Sequence, residues 1–316
     1  MSDKVLTDKT AVDTNPDGGT SEPVSHHLQD LLTLMARLRA PDDGCPWDLK
    51  QDYRSITSST IEECYELVDA IEQQNFGHLK EELGDYVFQA VFYAQLAKED
   101  GHFDFNDVID TLTAKLLRRH PHVFPDGTLD SRRDPNLAEG LQDEQIRASW
   151  DAIKQQERDS KGQARVLDDV PLALPALSRA FKLQKRAAKV GFDWSDSQQV
   201  FDKLDEELGE LHQALAIVSR GECDVEGKGD SGGNNDASTE KSAAVADELG
   251  DVLFTCVNLA RKLGFEPEAL MRSANSKFER RFNSVESQVT ASGKPFDQHS
   301  TDALEVFWKQ AKKQGL

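Results

Sequence analysis

The sequence predicts an all-α protein built as a tandem repeat of one helical-bundle unit. Apolar residues recur at helical spacing, and no segment has a convincing strand pattern. In addition, a helix with the acidic pattern E-E-x-x-E followed by a helix with E-x-x-D occurs twice. The acidic residues are Glu62, Glu63, Glu66, Glu82 and Asp85 in the first copy and Glu206, Glu207, Glu210, Glu248 and Asp251 in the second. An internal duplication explains this order.

Length and charge restrict the class of protein. A chain of 316 residues is long enough for about two domains. Its formal net charge of −20 argues against a nucleic-acid partner, because phosphate contacts need clustered lysine and arginine. No apolar run reaches the roughly 18 residues of a membrane span, and no secretion signal is evident, so we expect a cytoplasmic protein without a membrane partner. Cys64 and Cys256 fall on apolar helix faces, where we expect buried free thiols.

The N-terminal repeat is expected over residues 26–160, after a tail. Residues 1–25 are rich in Asp, Thr, Ser, Gly and Pro, a composition that predicts disorder. The link at 75–77 is short, so the helices on either side of it should pack antiparallel. Apolar spacing and breaker residues predict helices over 28–38, 60–73, 79–98, 107–119 and 145–157.

The C-terminal repeat is expected over residues 161–316 and follows the same order. Trp194 takes the position that Trp47 has in the first repeat, and each is as well explained by core packing as by nucleotide contact. Residues 220–241, between the two acidic helices, are rich in Gly, Asp, Ser and Asn and predict a mobile insertion. The predicted helices span 174–189, 199–219, 242–262 and 267–289, with a last helix from residue 300.

The spacing of the carboxylates predicts a cation site. Glu207 and Glu210 lie one turn apart at the edge of an apolar stripe, and Glu248 and Asp251 have the same placement on the next helix. If the two helices pack antiparallel on their stripes, the four carboxylates can converge, and a divalent cation would offset their repulsion. All-oxygen ligands suit Mg²⁺ or Mn²⁺ better than zinc, and the Glu-x-x-His pairs of di-iron bundles do not occur. The alternative for any single E-x-x-E is a solvated acidic helix face, whereas the duplication favours a site.

A basic cluster follows the acidic pair in both repeats. Lys277 and Arg281 are four residues apart on one helix, with Arg280 beside them. The first repeat has Lys115, Arg118 and Arg119 at the corresponding positions. Basic side chains facing carboxylate-held Mg²⁺ are suited to a polyphosphate. The alternative is ordinary surface pairing with nearby glutamates.

These motifs resemble the two-domain MazG nucleoside triphosphate pyrophosphohydrolases. The resemblance runs from about residue 28 to the C-terminus and includes, besides the acidic helices, four further segments in family order: Gly44 to Asp48, Arg118 to Phe124, Gly191 to Trp194, and Lys277 to Phe282. It implies a fold of the dimeric dUTPase-like class. It also implies Mg²⁺-dependent hydrolysis of NTPs and dNTPs to nucleoside monophosphate and pyrophosphate by a homodimer, with Mn²⁺ as a substitute ion.

The resemblance assigns residue roles as well. Glu207, Glu210, Glu248 and Asp251 would be the catalytic metal ligands. The substrate-binding residues would be Lys203, Glu206, Lys277, Arg280, Arg281 and Trp308. Activity would concentrate in the C-terminal repeat, although Glu63, Glu66, Glu82 and Asp85 are in register, and the role of the N-terminal repeat stays open.

Two alternatives remain at this stage. One is a non-catalytic helical dimer that senses nucleotides or binds a partner protein. The other is a pyrophosphohydrolase restricted to one nucleotide, such as a dUTPase or phosphoribosyl-ATP hydrolase, against which the two-repeat layout argues. Base and sugar preference cannot be read from the residues.

Overall fold

The structure is a computed structural model that describes residues 25–133, 143–160, 162, 165–223 and 234–316. Within these residues the secondary structure is helical, with no strand, as expected. The chain divides into two compact units, residues 1–153 and 154–316. The expected disordered tail lies almost wholly outside the described residues.

Unit 1 contains the first four helices and most of the fifth. Their bounds are α1 Leu28–Leu38, α2 Thr57–Glu72, α3 Phe76–Glu99, α4 Phe105–Arg119 and α5 Asp143–Ser160. The core forms where α1 and α3 meet, around the buried side chains of Met35, Val91, Phe92 and Leu96. Asn75 caps α3 by accepting a hydrogen bond from the amide of His78, so the α2–α3 link turns in very few residues.

The segment between α1 and α2 is fixed by a buried arginine and a glycine. Arg39 donates to both carboxylate oxygens of Glu99 and to the carbonyl of Asp48. A Cβ at Gly44 would lie 2.5 Å from the carbonyl oxygens of Leu38 and Ala40, so only glycine fits there. Trp47 is 61% exposed, which rules out a core anchor within this unit.

Unit 2 contains the remaining helices: α6 Ala176–Lys189, α7 Ser197–Cys223, α8 Asn234–Lys262, α9 Pro267–Ala291 and α10 Thr301–Lys313. Helices α7 and α8 pack along each other, α6 packs on α8 and α9, and α10 packs on α9. Pro267 stands at the start of α9, where its missing N–H costs nothing, and Glu266 accepts from the amide of Ala269. Buried Val200, Val257 and Val285 belong to the core of this unit.

Two expectations need correction. The segment 220–241 is helical at both ends, because α7 continues to Cys223 and α8 begins at Asn234; residues 224–233 lie outside the described part. Cys64 and Cys256 are exposed rather than buried. The two cysteines lie on apolar helix faces that the single chain leaves uncovered. Leu208, Leu215 and Leu249 of the apolar stripe are exposed for the same reason. In the described helices, none is long and apolar enough to cross a bilayer.

Candidate metal and nucleotide site

Helix α7 supplies a deeply buried carboxylate to the C-terminal repeat. Glu207 is 5% exposed, whereas its neighbour Glu206 is exposed. Lys203, one turn earlier, brings its Nζ to 2.8 Å from Glu206 Oε1 and 2.7 Å from Glu207 Oε1. These hydrogen bonds raise the pKa of Lys203, so its ammonium stays charged. A buried carboxylate is thus held next to a permanent cation.

Helix α8 brings two more carboxylates to Glu207. Glu207, Glu248 and Asp251 each offer an oxygen, and these oxygens lie within 4.8 Å of one another. Glu207 and Glu248 lie at similar sequence distances from the α7–α8 link, so the two helices run antiparallel, as the apolar stripes predicted. The convergence of these three predicted residues follows from that pairing.

Glu210 lies outside this group of three. Burial, followed by the charges of Glu207 and Glu248, raises its pKa, so the side chain is close enough to experience both. The structure therefore brings three of the four predicted ligands together and leaves Glu210 beside them. We refer to Glu207, Glu248 and Asp251 as the C-terminal acidic cluster.

The donors of this cluster fit a hard divalent cation. Mg²⁺ and Mn²⁺ take carboxylate and water oxygens, and a carboxylate as buried as Glu207 is unfavourable unless a cation compensates its charge. Lys203 supplies one positive charge to Glu207. Glu248 is half-buried and Asp251 is exposed, so the cluster opens to solvent on one side, where a substrate can enter.

The predicted basic residues of α9 lie apart from the C-terminal acidic cluster. Lys277 and Arg280 are exposed on α9, while Arg281 donates from Nε to the carbonyl of Leu316 at 2.6 Å. Among the described residues, none of the three contacts the C-terminal acidic cluster. Their predicted role in holding phosphates therefore stays a prediction.

Trp308 belongs to α10, and its ring lies against Phe278 of α9. Its ring centroid is 5.4 Å from that of Phe278, and the Arg281 guanidinium and Lys312 ammonium lie 5.9 and 6.0 Å from it. Cations over the ring stabilise this arrangement modestly. Trp308 is thus a half-buried ring flanked by two positive charges, and its contact with the nucleotide stays a prediction.

Sequence reasoning missed a cavity beside α8. It has a volume of about 260 Å³ and is formed by α6, the 192–194 segment and α8. Gln184 is buried, and its Nε2 donates to the carbonyl of Phe254 at 2.8 Å. This bond fixes the amide, and its Oε1 is buried without a hydrogen-bond partner. A buried acceptor without a partner is unusual and suggests a bound group that donates to it.

The wall of this cavity combines aromatic rings with a group of ion pairs. Phe192, Trp194 and Phe254 contribute ring surface. Asp193 accepts from Arg261 Nη2 at 2.5 Å and from Lys262 Nζ at 2.8 Å, which ties the 192–194 segment to the end of α8. Trp194 takes the same position in its repeat as Trp47 does in the other, and this correspondence is the sequence feature that could have located the cavity.

The N-terminal repeat has an acidic cluster of its own. Glu63, Glu66 and Glu82 each offer an oxygen within 4.8 Å of the others, while Asp85 lies outside this group. Burial, followed by the charges of Asp85, Glu66 and Glu82, raises the pKa of Glu63. We refer to Glu63, Glu66 and Glu82 as the N-terminal acidic cluster.

Comparison with known proteins relates both clusters to one family. The MazG nucleotide pyrophosphohydrolase domain matches residues 51–124 and 196–286, which include all the residues of both clusters. The chain is 42% identical over 293 residues to a nucleoside triphosphate pyrophosphohydrolase of Escherichia coli, covering 92% of this chain and 99% of the relative. It is 38% identical over 285 residues to the nucleoside triphosphate pyrophosphohydrolase/pyrophosphatase MazG of Thermotoga maritima, covering 90% and 95%. A Mycolicibacterium smegmatis nucleoside triphosphate pyrophosphohydrolase is 36% identical over 166 residues, covering 52% of this chain and 47% of the relative.

Proposed function

The chain belongs to the MazG family, and from that membership and the C-terminal acidic cluster we propose that it hydrolyses nucleoside triphosphates to nucleoside monophosphate and pyrophosphate. The single observation that carries the site assignment is the convergence of Glu207, Glu248 and Asp251 within 4.8 Å. NTPs and dNTPs are both proposed substrates, and the cellular role is control or cleaning of the nucleotide pool.

A divalent cation, Mg²⁺ with Mn²⁺ as substitute, is the proposed cofactor. When bound, it would lower the pKa of a coordinated water and offset charge on the triphosphate. Glu207, Glu248 and Asp251 would hold it, and Glu210 would join them as the fourth ligand from its position beside the cluster. Helices α7 and α8 keep these side chains in place, because each residue projects from a long, packed helix rather than from a loop.

The other proposed roles follow from the charges. Lys203, already beside Glu207, would neutralise a phosphate oxygen once the nucleotide enters, with Glu206 keeping the ammonium in position. Lys277, Arg280 and Arg281 would bind the leaving pyrophosphate. Water would attack the α-phosphorus, and a carboxylate of the cluster would accept its proton.

The cavity beside α8 supports a location for the nucleobase. Asn258 lines it and follows Asp251 by seven residues, two turns of one helix, so both residues lie on the same face about 10 Å apart. Such a separation suits a base at one end and phosphates at the other. Gln184 Oε1 would accept from a donor on the base edge, and the rings of Trp194 and Phe254 would contact its faces.

We also propose a homodimer. Leu208, Leu215, Leu249 and Leu253 are exposed along α7 and α8, on helices that carry the carboxylates. Contiguous exposed leucines on a helix pair usually mark an interface, and a second copy presents the same surface. Pairing of two copies through these helices would bury the leucines and exclude water from one side of the acidic cluster.

The test is product analysis with a panel of NTPs and dNTPs, Mg²⁺ and the full chain. We expect nucleoside monophosphate and pyrophosphate, activity lost with EDTA, and, in oxygen-18 water, the label in the monophosphate. Nucleoside diphosphate and phosphate as products would contradict attack at the α-phosphorus. Absence of hydrolysis with every nucleotide would favour the non-catalytic nucleotide-binding dimer.

A further inference from the structure

Lys203 places a positive charge directly against the buried carboxylate of the C-terminal acidic cluster. Its Nζ lies 2.7 Å from Oε1 of Glu207, a side chain that is almost fully buried. Glu207 is also one of the three residues whose oxygens converge within 4.8 Å. The same carboxylate therefore serves the lysine ammonium and the space in which a divalent cation would be held.

The two positive charges cannot share Glu207 without a penalty. An ammonium in hydrogen-bond contact with a carboxylate lies only a few ångströms from any cation that this carboxylate coordinates. Like charges at such a separation repel strongly, and burial of Glu207 weakens the screening by water. A cation can bind Glu207 at full strength only when the Lys203 ammonium moves away from it.

A second carboxylate gives Lys203 an alternative partner on the outer side of the helix. Lys203 Nζ also lies 2.8 Å from Oε1 of Glu206, whose side chain is exposed. Lys203 itself is only half-buried, and its flexible stem can turn the ammonium toward Glu206 and solvent without unpacking the core. That movement would leave Glu207 to the cation and bring the ammonium to the solvent side of α7, where an anion can meet it.

The acidic helix does not need this lysine in order to fold. Glu63 of the N-terminal repeat corresponds to Glu207, and the residue four positions before it on α2 is Ser59. The same acidic pattern thus forms a helix without a basic residue at that position. The lysine is a property of the C-terminal site and calls for an explanation there.

We propose that Lys203 is an internal competitor of the divalent cation: it neutralises Glu207 while no nucleotide is bound and leaves Glu207 when a phosphate group takes over its ammonium. Cation and nucleotide then bind cooperatively, because each favours the position of Lys203 that the other requires. The cooperation with a nucleotide rests on the proposed function, whereas the competition between Lys203 and the cation does not.

The competition is tested by titrating the full chain with Mn²⁺ in nucleotide-free buffer and following free Mn²⁺ by electron paramagnetic resonance. Lys203→Met keeps the length of the side chain but removes its charge, so it should tighten Mn²⁺ binding at least roughly tenfold. Lys203→Arg keeps the charge and should bind Mn²⁺ as the wild-type chain does. Lys309→Met, which removes the lysine of an exposed i,i+4 pair with Glu305 on α10, is the matched control and should leave Mn²⁺ binding unchanged.

A double variant assigns the additional affinity to the C-terminal acidic cluster. Adding Glu207→Gln to Lys203→Met should abolish the gain, since every other carboxylate of the chain is unchanged. In the pyrophosphate assay, Lys203→Met should show a higher KM even though it binds Mn²⁺ more tightly. A lysine with a merely structural role would not move these two quantities in opposite directions.

Each outcome decides the proposal. Unchanged or weaker Mn²⁺ binding by Lys203→Met would overturn it, as would a gain that persists when Glu207→Gln is added. An equal gain in Lys203→Arg would show that lost packing, not lost charge, is responsible, and would also overturn it. If circular dichroism shows that Lys203→Met is unfolded, Lys203→Gln provides the same comparison. Failure of the proposed hydrolysis would appear separately, as absence of pyrophosphate release from the wild-type chain.

Discussion

Replacing Glu207 with glutamine tests the catalytic site while leaving the fold intact. The side chain is 7% exposed, and its oxygen lies within 4.8 Å of those of Glu248 and Asp251. Glutamine keeps the shape but removes the charge that a divalent cation needs. Loss of one preorganised electrostatic contact in an active site typically raises the barrier by about 3 kcal/mol. Since about 1.4 kcal/mol corresponds to a factor of ten, pyrophosphate release should fall roughly 100-fold.

Stability should respond much less to this change. Lys203 keeps its contact with Glu206 at 2.8 Å, so we expect the free energy of unfolding to change by about 1 kcal/mol or less. A coupled pyrophosphate assay at saturating Mg²⁺ and urea unfolding measure the two quantities. Asp205→Asn, the same charge change at an exposed neighbour on α7, is the matched control. Wild-type rates in Glu207→Gln, or an equal loss in Asp205→Asn, would exclude a specific catalytic role for Glu207.

Three further predictions concern the cavity, the helix faces and an ion pair. Gln184→Leu removes the buried acceptor and should raise KM about fivefold with kcat little changed, the effect of one lost hydrogen bond; an unchanged KM for every base would remove Gln184 from the base site. Leu253→Glu places a charge on the exposed α8 face and should convert the proposed dimer to monomer in sedimentation velocity, whereas an unaltered sedimentation coefficient would exclude this surface as the dimer interface. Burial alone would raise the pKa of Asp193, but hydrogen bonds from Arg261 and Lys262 lower it overall. The ionised carboxylate therefore stabilises the fold above about pH 4, and this stabilisation is lost as the pH falls through the lowered pKa of Asp193. Urea melts from pH 6 to pH 2.5 should show this loss, and Asp193→Asn should reduce it; an identical pH dependence in the variant would count against the ion pair.

Helix positions were largely predictable because apolar periodicity and capping residues are local properties. The α2–α3 link shows this, since Asn75 is a cap whose partner is three residues away. The flanks of the predicted insertion were not predictable in this way. Residues 220–223 and 234–241 have a loop-like composition, yet they continue α7 and α8. Extending an existing helix adds one hydrogen bond per residue, whereas starting one is costly, so weak helix formers can be included next to strong ones.

The candidate site was predictable where it depends on spacing within a helix. Glu248 and Asp251 share a face because they are three residues apart, and the apolar stripe sets which helix they meet. The cavity depends instead on a bond between Gln184 and Phe254, which are 70 residues apart, and no local pattern encodes it. Likewise, the stripe identifies Leu208 and Leu249 as apolar surface but cannot tell whether the same chain or a second copy covers them.

Anomalous diffraction from crystals grown with Mn²⁺ and a non-hydrolysable nucleoside triphosphate analogue would locate the metal and the nucleotide in the C-terminal repeat directly. We expect a manganese peak bound by Glu207, Glu248 and Asp251, with the analogue's phosphates beside Lys203 and its base against Gln184. A nucleotide bound elsewhere, or manganese absent from these three carboxylates while the nucleotide is present, would contradict this assignment.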